Sequence, residues 1–443
     1  MPYLNPYYLE MKDGTVKQIN PFTDTEVWTV PGRGNRPLNR HKEDIKTIPR
    51  KLQHHEEDFC DFCAKFYHRT PPEKGRVSFQ NGHFESKWYQ LHSELNNDYA
   101  LFRRVANLWE IVSFYYWSEN YNYKVSEHLK NWRDKYLSEK EGKEHVLNII
   151  NYKLEQEGIP VDTFSDEEKI GKMSKQFFAG CHDLIIGGKH YIDNAEFTNQ
   201  LNSSGEFTPD EHFQYIKFTI DTMRDIYESN RFVRYISVFQ NWLENAGASI
   251  DHLHKQLVGL DEWGTSIEKE TNLLRKNRNI YNEYAANLAG YNDLIFLEND
   301  YALAFADIGH RFPTIAIYSK SIRPRPTDQT DEEIRGMSDI IHAIHCATGY
   351  EISTNEEWYY SPPDAVEVMP WHVLIKWRVV TPAGFEGGTR IYINPIKPPS
   401  MRDFLVPKLY KIRDEGKIHN LRIAEECHII SNPLQYYRYN NGI

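Results

Sequence analysis

The sequence predicts an α+β fold made of two tandem copies of one unit, each an antiparallel sheet with helices on one side, plus a helical insertion. An order of strand, helix and strand occurs once in each half of the chain, and the first half also contains a long polar stretch without strand character. The length of 443 residues is sufficient for a large core and two subdomains. No repeat is visible residue by residue, so the order of elements alone predicts the duplication.

In the first half, a helix over residues 209–227 is predicted between apolar strands at 184–186 and 234–240. Its start reads Thr-Pro-Asp-Glu, which supplies an N-cap, a proline at the first helical position and two early acids. The active strand, discussed below, is predicted over residues 252–258. This order places one long helix between neighbouring strands of a sheet.

Helices are predicted in the stretch at about 115–176, because residues 126–157 carry strong helix formers, no proline, and apolar side chains spaced by three and four. The resemblance described below implies only a short connection here, so it identifies this stretch as an insertion. A long polar helix is predicted within residues 260–289, packed across the seam between the halves. The second half then repeats the scheme with these elements: strands near Ala302 and Thr314, a helix over 331–348, and strands near Val373 and Arg390.

Composition excludes several classes of protein. The 52 basic and 63 acidic residues give a net charge of −11, which argues against nonspecific nucleic-acid binding. No apolar run approaches the roughly 18 residues of a membrane span, and the first residues lack a signal-peptide pattern. Five cysteines with one Cys-x-x-Cys pair fit a reducing compartment. We therefore expect a soluble, cytoplasmic protein with no membrane partner.

The most informative motif lies in residues 241–256. In an extended segment, side chains two apart share a face, so His252, His254 and Gln256 would point the same way. Three small residues just upstream, Gly247-Ala248-Ser249, leave the backbone N–H donors accessible to a charged group such as phosphate. The alternative for a lone His-x-His pair is a half-buried strand with polar residues on its solvent face.

A second cluster, Asp-Phe-Cys-Asp-Phe-Cys, ends at Cys63. Cys60 and Cys63 have the spacing of zinc ligands and can both reach one ion at about 2.3 Å. The other cysteines are isolated, so histidines must complete the site, and the candidates are His252, His182 and His190. A redox motif or two core thiols would be the alternative, but no strand–helix redox pattern surrounds the pair.

These motifs together resemble the galactose-1-phosphate uridylyltransferase branch of the histidine-triad superfamily, which includes ADP-glucose phosphorylases and diadenosine tetraphosphate phosphorylases. The resemblance rests on the Cys-x-x-Cys pair and on the run from Asn241 to Gln256. Further segments match in chain order: 20–37, 102–108, 180–190, 297–305, 370–375 and 381–390. The resemblance is sparse but nearly end to end.

The resemblance implies the fold of two histidine-triad-like units, at residues 1–265 and 266–443, and usually a homodimer. It also implies site residues. Arg33, Arg36 and Asn107 correspond to nucleotide-contacting positions, and Asn241, Gly247, Ala248 and Ser249 to the phosphate-binding region. His190 corresponds to the third metal ligand, with His182 as the substitute, because Gly187-Gly188-Lys189 replaces the family's Glu-x-Pro before that ligand. A second family metal site is not predicted, since only His372 has a comparable setting.

The two histidines of the motif are predicted to have different roles. His252 would hold a structural zinc ion with Cys60, Cys63 and His190, four protein ligands that leave no open position. His254 would be the nucleophile that forms a covalent nucleotidyl-histidine, with Ser249 stabilising charge on the phosphoryl oxygens. The alternative for Asn241 is a turn cap. Gln256 stands where hydrolytic relatives have a third histidine, and an amide cannot act as a general acid.

We therefore predict a nucleotidyltransferase that moves a nucleoside monophosphate between sugar 1-phosphates, with UDP-glucose and a hexose 1-phosphate as default substrates. No organic cofactor is expected. One alternative is a phosphorylase that uses inorganic phosphate and an adenine nucleotide sugar or a dinucleoside polyphosphate. The other is a zinc-stabilised nucleotide-binding protein without turnover.

Overall fold

The computed structural model describes residues 6–31, 45–48 and 56–439, and its strands form one sheet of twelve and one of four. The predicted α+β class is confirmed. The strands are β1 Tyr8–Glu10, β2 Val16–Ile19, β3 Glu26–Thr29, β4 Glu73–Gln80, β5 His83–Trp88, β6 Ala100–Ala106, β7 His182–Gly187, β8 Tyr235–Trp242, β9 His254–Leu260, β10 Ile295–Glu298, β11 Ala302–Ala306, β12 Thr314–Ser319, β13 Thr354–Tyr359, β14 His372–Trp377, β15 Ile391–Ile393 and β16 Arg422–Ile423.

Helices fill the connections between these strands. They are α1 Phe114–Tyr121, α2 Glu127–Ser138, α3 Lys140–Gln156, α4 Asp166–Glu168, α5 Lys175–Ala179, α6 Pro209–Ser229, α7 Thr265–Lys276, α8 Asn287–Tyr291, α9 Asp331–Thr348, α10 Gly384–Thr389 and α11 Pro398–Asp414. Among the described residues, none of them is long and apolar enough to cross a membrane.

The large sheet has mirrored halves. Its order is β5-β4-β6-β7-β9-β8 followed by β13-β14-β12-β11-β10-β16, and every pairing is antiparallel. Counting outward from the centre, β9 is second in the first half and β14 is second in the other. In each half a long helix precedes the strand that lies at the centre of the whole sheet: α6 precedes β8, and α9 precedes β13. The domain boundary at residues 265 and 266 stays a prediction.

The two halves meet edge to edge, which the sequence did not predict. β8 pairs with β13, with Trp242 opposite Thr354 and Phe239 opposite Glu357. On one face the helices α6 and α9 pack together across this seam. Each helix begins with a capping box. The hydroxyl of the N-cap threonine accepts a backbone N–H of the first turn, and the side chain of the glutamate three residues later accepts the backbone N–H of that threonine. The bounds of both helices agree with their sequence predictions to within two residues.

The helical insertion is confirmed between β6 and β7, where helices α1 to α5 lie. The stretch predicted as helical over 126–157 is interrupted at Glu139, whose backbone is extended, so α2 and α3 form a pair. Each helix buries an apolar face, Leu129, Trp132 and Tyr136 on α2 and mainly Val146, Ile149 and Ile150 on α3. Burial of these side chains against the first half of the sheet holds the insertion in place.

Two predicted elements differ. The polar helix predicted within 260–289 is present as α7, but it is shorter than expected: it ends at Lys276, and Asn277 has an extended backbone. Its side-chain oxygen accepts the N–H of Asn279, and its amide donates to Glu283, so local side-chain bonds replace the next helical turn. The strand near Arg390 exists as β15, but it pairs in parallel with β3 in the small sheet. That pairing ties the N-terminal segment to the second half.

Candidate active site and metal centre

Strand β9 carries the site, and it begins at His254 rather than at His252 as predicted. It lies between β7 and β8, inside the sheet. Lys255, between the two motif residues His254 and Gln256, is completely buried and forms an ion pair with Glu356 of β13. Glu356 also accepts a bond from His345 at 2.9 Å. Although burial opposes it, Lys255 and His345 hold the pKa of Glu356 well below its usual range. This network fixes the register of β9 against the second half.

Four predicted ligand atoms come together in front of β9. The two sulfur atoms, Sγ of Cys60 and Sγ of Cys63, are 3.8 Å apart. The Nδ1 atom of His190 lies 3.4 and 3.5 Å from these sulfurs, and the Nδ1 atom of His252 lies 3.5 and 3.9 Å from them. All four ligand atoms lie within 4.8 Å of one another. Residues separated by up to 192 positions therefore form one compact group.

The spacing of this group fits a tetrahedral zinc ion. Bonds of about 2.3 Å to sulfur and about 2.1 Å to nitrogen require edges of roughly 3.8 Å between sulfurs and roughly 3.6 Å from sulfur to nitrogen. The Nε2 atom of His252 donates to the carbonyl of Gly187 at 2.7 Å, which turns Nδ1 toward the cysteines. Glu57, which is buried, accepts the backbone N–H of His190 at 2.7 Å. Two thiols and two imidazoles form a group able to hold a metal ion.

His182 was the substitute ligand, and the structure places it elsewhere. Its Nδ1 atom accepts the backbone N–H of Ile111 at 3.0 Å, so Nε2 carries the proton. Nε2 lies 3.1 Å from the Oε1 atom of Gln256 and 3.0 Å from the side-chain amide of Asn107. Burial lowers the pKa of His182, so its ring is neutral at neutral pH. His182 thus joins two predicted site residues, Asn107 and Gln256, and orients the amide of Gln256.

His254 is held in one tautomer. Its Nδ1 atom donates to the backbone carbonyl of His252 at 2.9 Å, which leaves the lone pair on Nε2. The side chain is 5% exposed, and burial lowers its pKa below the usual value, so the ring is neutral at neutral pH. The ring of Phe62, from within the Cys-x-x-Cys loop, meets it edge-on at 5.3 Å between centroids. The metal group and the His254 ring are thus packed against the same loop.

The loop between β8 and β9 bends sharply. Leu243 has φ = 68° and ψ = 163°, a conformation that is strained for a residue with a side chain, and Gly247 has φ = 89°. The N–H of Gly247 donates to Glu244 and that of Ala248 to Leu243. These two donors are therefore used within the loop, contrary to the expectation that they face a phosphate. Ser249 is exposed, on the segment leading to His252.

Asn241 is oriented by a residue that the sequence motifs did not point to. Asn355, on β13, donates from Nδ2 to the side-chain oxygen of Asn241 at 2.7 Å and to the carbonyl of Ala246 at 2.8 Å. The amide nitrogen of Asn241 is then directed toward Gly247, where a Cβ added to the glycine would lie 3.9 Å from it. The turn-cap alternative for Asn241 has no support in these contacts. Arg33 and Arg36, the predicted nucleotide-binding arginines, lie outside the described residues.

A family model covers nearly all of this architecture. The family described as a domain of unknown function, DUF4921, matches residues 11–436. The chain belongs to the DUF4921 family. Among curated proteins, none matches the sequence of this DUF4921 protein.

Solved structures share the fold of this DUF4921 protein. An ADP-glucose phosphorylase from Arabidopsis thaliana with bound ADP-glucose is 16% identical, with a TM-score of 0.54 over 89% of this chain and 97% of that one. A galactose-1-phosphate uridylyltransferase-like protein from the same plant is 16% identical, with a TM-score of 0.53 over 89% and 98% of the two chains. The predicted resemblance to these proteins is confirmed at the level of the fold.

Proposed function

We propose that this DUF4921 protein is a nucleotidyltransferase in which His254 carries the nucleotide covalently. The proposal rests chiefly on the hydrogen bond from Nδ1 of His254 to the carbonyl of His252, which leaves a neutral ring with its lone pair on Nε2. A buried, fixed and neutral imidazole is suited to attack phosphorus, because it needs no deprotonation before it reacts.

The proposed reaction has two displacements. Nε2 of His254 attacks the α-phosphorus of a nucleoside-diphosphate sugar; a P–N bond forms and the P–O bond to the sugar 1-phosphate breaks. A phosphate oxygen of an acceptor then attacks the same phosphorus, which restores the free ring and releases the new nucleotide product. The proton on Nδ1 stays with the ring throughout, and the His252 carbonyl stabilises the positive charge of the substituted imidazole.

Polar side chains around His254 would bind the phosphoryl oxygens. The amide nitrogen of Gln256 is available for this role because its oxygen accepts from His182. The amide nitrogen of Asn241 is available for the same reason, since its oxygen accepts from Asn355. Both groups donate hydrogen bonds without titrating, so they favour transfer between phosphorylated partners over hydrolysis that needs an acid. We propose a supporting role for the Ser249 hydroxyl.

We propose that Cys60, Cys63, His190 and His252 hold zinc. A closed set of four protein ligands gives the metal a structural role, joining the segment before β9 to the Cys-x-x-Cys loop. The residues around His254 are thereby positioned without taking the metal into the reaction.

The default substrates are UDP-glucose and a hexose 1-phosphate. A second candidate is a phosphorylase acting on ADP-glucose with inorganic phosphate, which is favoured by the fold shared with an ADP-glucose phosphorylase that binds ADP-glucose. Whether the protein forms a homodimer stays a prediction.

Intact-mass measurement tests the proposal. The protein is incubated with UDP-glucose or with ADP-glucose, and its mass is compared with that of His254→Ala treated alike. A gain of one uridylyl or adenylyl group that is absent in His254→Ala supports the proposal and identifies the base. An unchanged mass with every nucleotide sugar, despite binding, would instead support the nucleotide-binding protein without turnover.

A further inference from the structure

The mirrored sheet gives His254 a counterpart in the second half. His372 is the first residue of β14, as His254 is the first residue of β9, and each strand is second from the seam. The Nδ1 atom of His372 contacts the carbonyl of Pro370, two residues earlier in the chain, at 2.9 Å. His254 makes the equivalent contact with the carbonyl of His252. Pro370 occupies the position of the metal ligand His252 and cannot bind a metal. The second half therefore repeats the histidine without repeating the metal group.

A cavity of about 450 Å³ lies beside His372. We call it the C-terminal cavity. The N-terminal segment covers part of it, because Asn20 donates to the carbonyl of Ile308 at 3.0 Å and both Asn20 and Phe22 line the space. Its polar lining includes Arg311, Asn355, Glu357, His372, Lys376 and Arg378. A volume of this size accommodates a molecule considerably larger than a phosphate ion.

The acidic groups of the C-terminal cavity all have partners inside the protein. Glu357 accepts from Lys376 at 2.5 Å and from the Tyr359 hydroxyl at 2.6 Å. Asp307 accepts from His310 at 2.7 Å. Glu270 accepts from the hydroxyl of Tyr281. The negative charge lining the cavity is thus either paired or hydrogen-bonded.

Two arginines of the same cavity have no oppositely charged partner among the described residues. Arg378 donates from Nη1 to the neutral side-chain oxygen of Asn355 at 2.6 Å, and its buried Nε atom has no hydrogen-bond partner among the described residues. Arg311 is exposed and lies over the ring of Tyr392 at 4.7 Å. No ion pair of either arginine exists within the part of the chain that the structure describes. A buried guanidinium N–H without a partner is costly, and an anionic ligand would satisfy it.

We propose that the C-terminal cavity is a second ligand site, which binds the phosphate group of a small phosphorylated molecule between Arg311 and Arg378. Guanidinium groups bind phosphate with two directed hydrogen bonds, and these two have no carboxylate partner among the described residues, which leaves them available to a phosphate dianion. The rest of the ligand occupies the volume beside His372, whose ring is stacked between Tyr318 and Tyr359 at 4.6 and 5.2 Å and is therefore fixed. This site is separate from the proposed nucleophile and does not depend on it.

Binding measurements on the full, zinc-supplied chain test this proposal. Inorganic phosphate, glucose 1-phosphate and AMP are titrated calorimetrically into the wild type, Arg311→Gln and Arg378→Gln. We expect at least one probe to bind and both variants to weaken its Kd by tenfold or more. Arg231→Gln removes an exposed arginine outside the cavity and serves as the matched control, with an unchanged Kd. Equal affinity for all three probes would show that the site recognises the phosphate group alone. Tighter binding of one organic phosphate would show that the cavity also contacts the sugar or nucleoside part of that ligand.

His254→Ala separates this proposal from the proposed function. The binding that depends on Arg311 should persist in His254→Ala, even if that variant forms no adduct and even if the wild type forms none. Arg311 is exposed, so Arg311→Gln should keep the wild-type melting temperature, which guards against a folding artefact. The proposal is overturned if no probe binds at millimolar concentration, or if every bound probe keeps its Kd in both Arg311→Gln and Arg378→Gln.

Discussion

The Nδ2 atom of Asn355 donates to the side-chain oxygen of Asn241 at 2.7 Å, across the seam where β13 pairs with β8. The bond connects the second half of the protein to the loop that precedes the proposed nucleophile. Asn355 in turn accepts from Arg378 of the C-terminal cavity at 2.6 Å. A residue of one half therefore orients a site residue of the other.

Replacing Asn355 by alanine should slow adduct formation about tenfold, because Asn241 loses the bond that directs its amide toward the phosphoryl group. The measurement is the single-turnover rate of mass gain with the nucleotide sugar that labels His254. In an Asn241→Ala background, the same change should have little further effect, since the oriented group is already absent.

Asn230→Ala is the matched control for Asn355→Ala. Asn230 is also a buried asparagine, but its side chain bonds to Phe232 and Cys181, away from the loop. Loss of the Asn230 side chain should lower the stability of the protein without a specific decrease in the rate of adduct formation. Additive effects of Asn241→Ala and Asn355→Ala would contradict the positioning role.

Replacing Cys60 by serine should abolish stoichiometric zinc binding, because three remaining ligands cannot close the tetrahedron. We expect the free energy of unfolding to fall by at least about 3 kcal/mol, since a structural metal contributes directly to folding. Metal analysis and thermal unfolding give both quantities. Cys427→Ser, which changes a thiol outside the group, should retain the metal. One zinc ion per chain in Cys60→Ser would refute the ligand set.

Replacing Gln256 by histidine should introduce hydrolysis of a nucleoside phosphoramidate, whose amine leaving group must be protonated. A histidine at this position is able to supply that proton, and general acid catalysis typically contributes at least about a hundredfold. The rate of nucleoside monophosphate release measures this hydrolysis. Gln256→Asn keeps an amide and should gain no hydrolysis. Equal hydrolysis by the wild type and Gln256→His would argue against a role for Gln256 in choosing transfer.

Replacing Glu270 by glutamine should make the protein relatively more stable as the pH rises. Burial raises the pKa of Glu270 from 4.5 to about 7. Between these values the unfolded chain releases a proton that the folded protein keeps, so the wild type loses stability as the pH rises, on the order of 3 kcal/mol in total. The variant stays neutral and avoids this loss.

Thermal unfolding at pH 5 and pH 8 checks the Glu270 prediction. The difference in stability between Glu270→Gln and the wild type should favour the variant more strongly at pH 8. Glu268→Gln, an exposed position on the same helix α7, should show no such trend. A difference that is constant with pH would mean that Glu270 is ionised in the folded protein.

Local chemistry let the sequence specify much of this protein. Thr208 and Thr330, each followed three residues later by a glutamate, marked the starts of α6 and α9, because a capping box needs only neighbouring residues. The Cys60–Cys63 spacing and the motif from Asn241 to Gln256 marked the candidate site for the same reason: their residues act within a few positions of each other.

Long-range pairing required the tertiary structure. The choice of His190 over His182 beside Cys60, across 130 residues, depends on how β7 lies against β9, since His182 is the first residue of β7 and His190 follows its last. The Lys255–Glu356 and Asn241–Asn355 contacts depend on β8 meeting β13, which no local pattern specifies. The sequence by itself determined the elements and the reactive residue types. Only the packing of one sheet from two halves decided which of those residues meet, because contact energy depends on distance in space and not on distance along the chain.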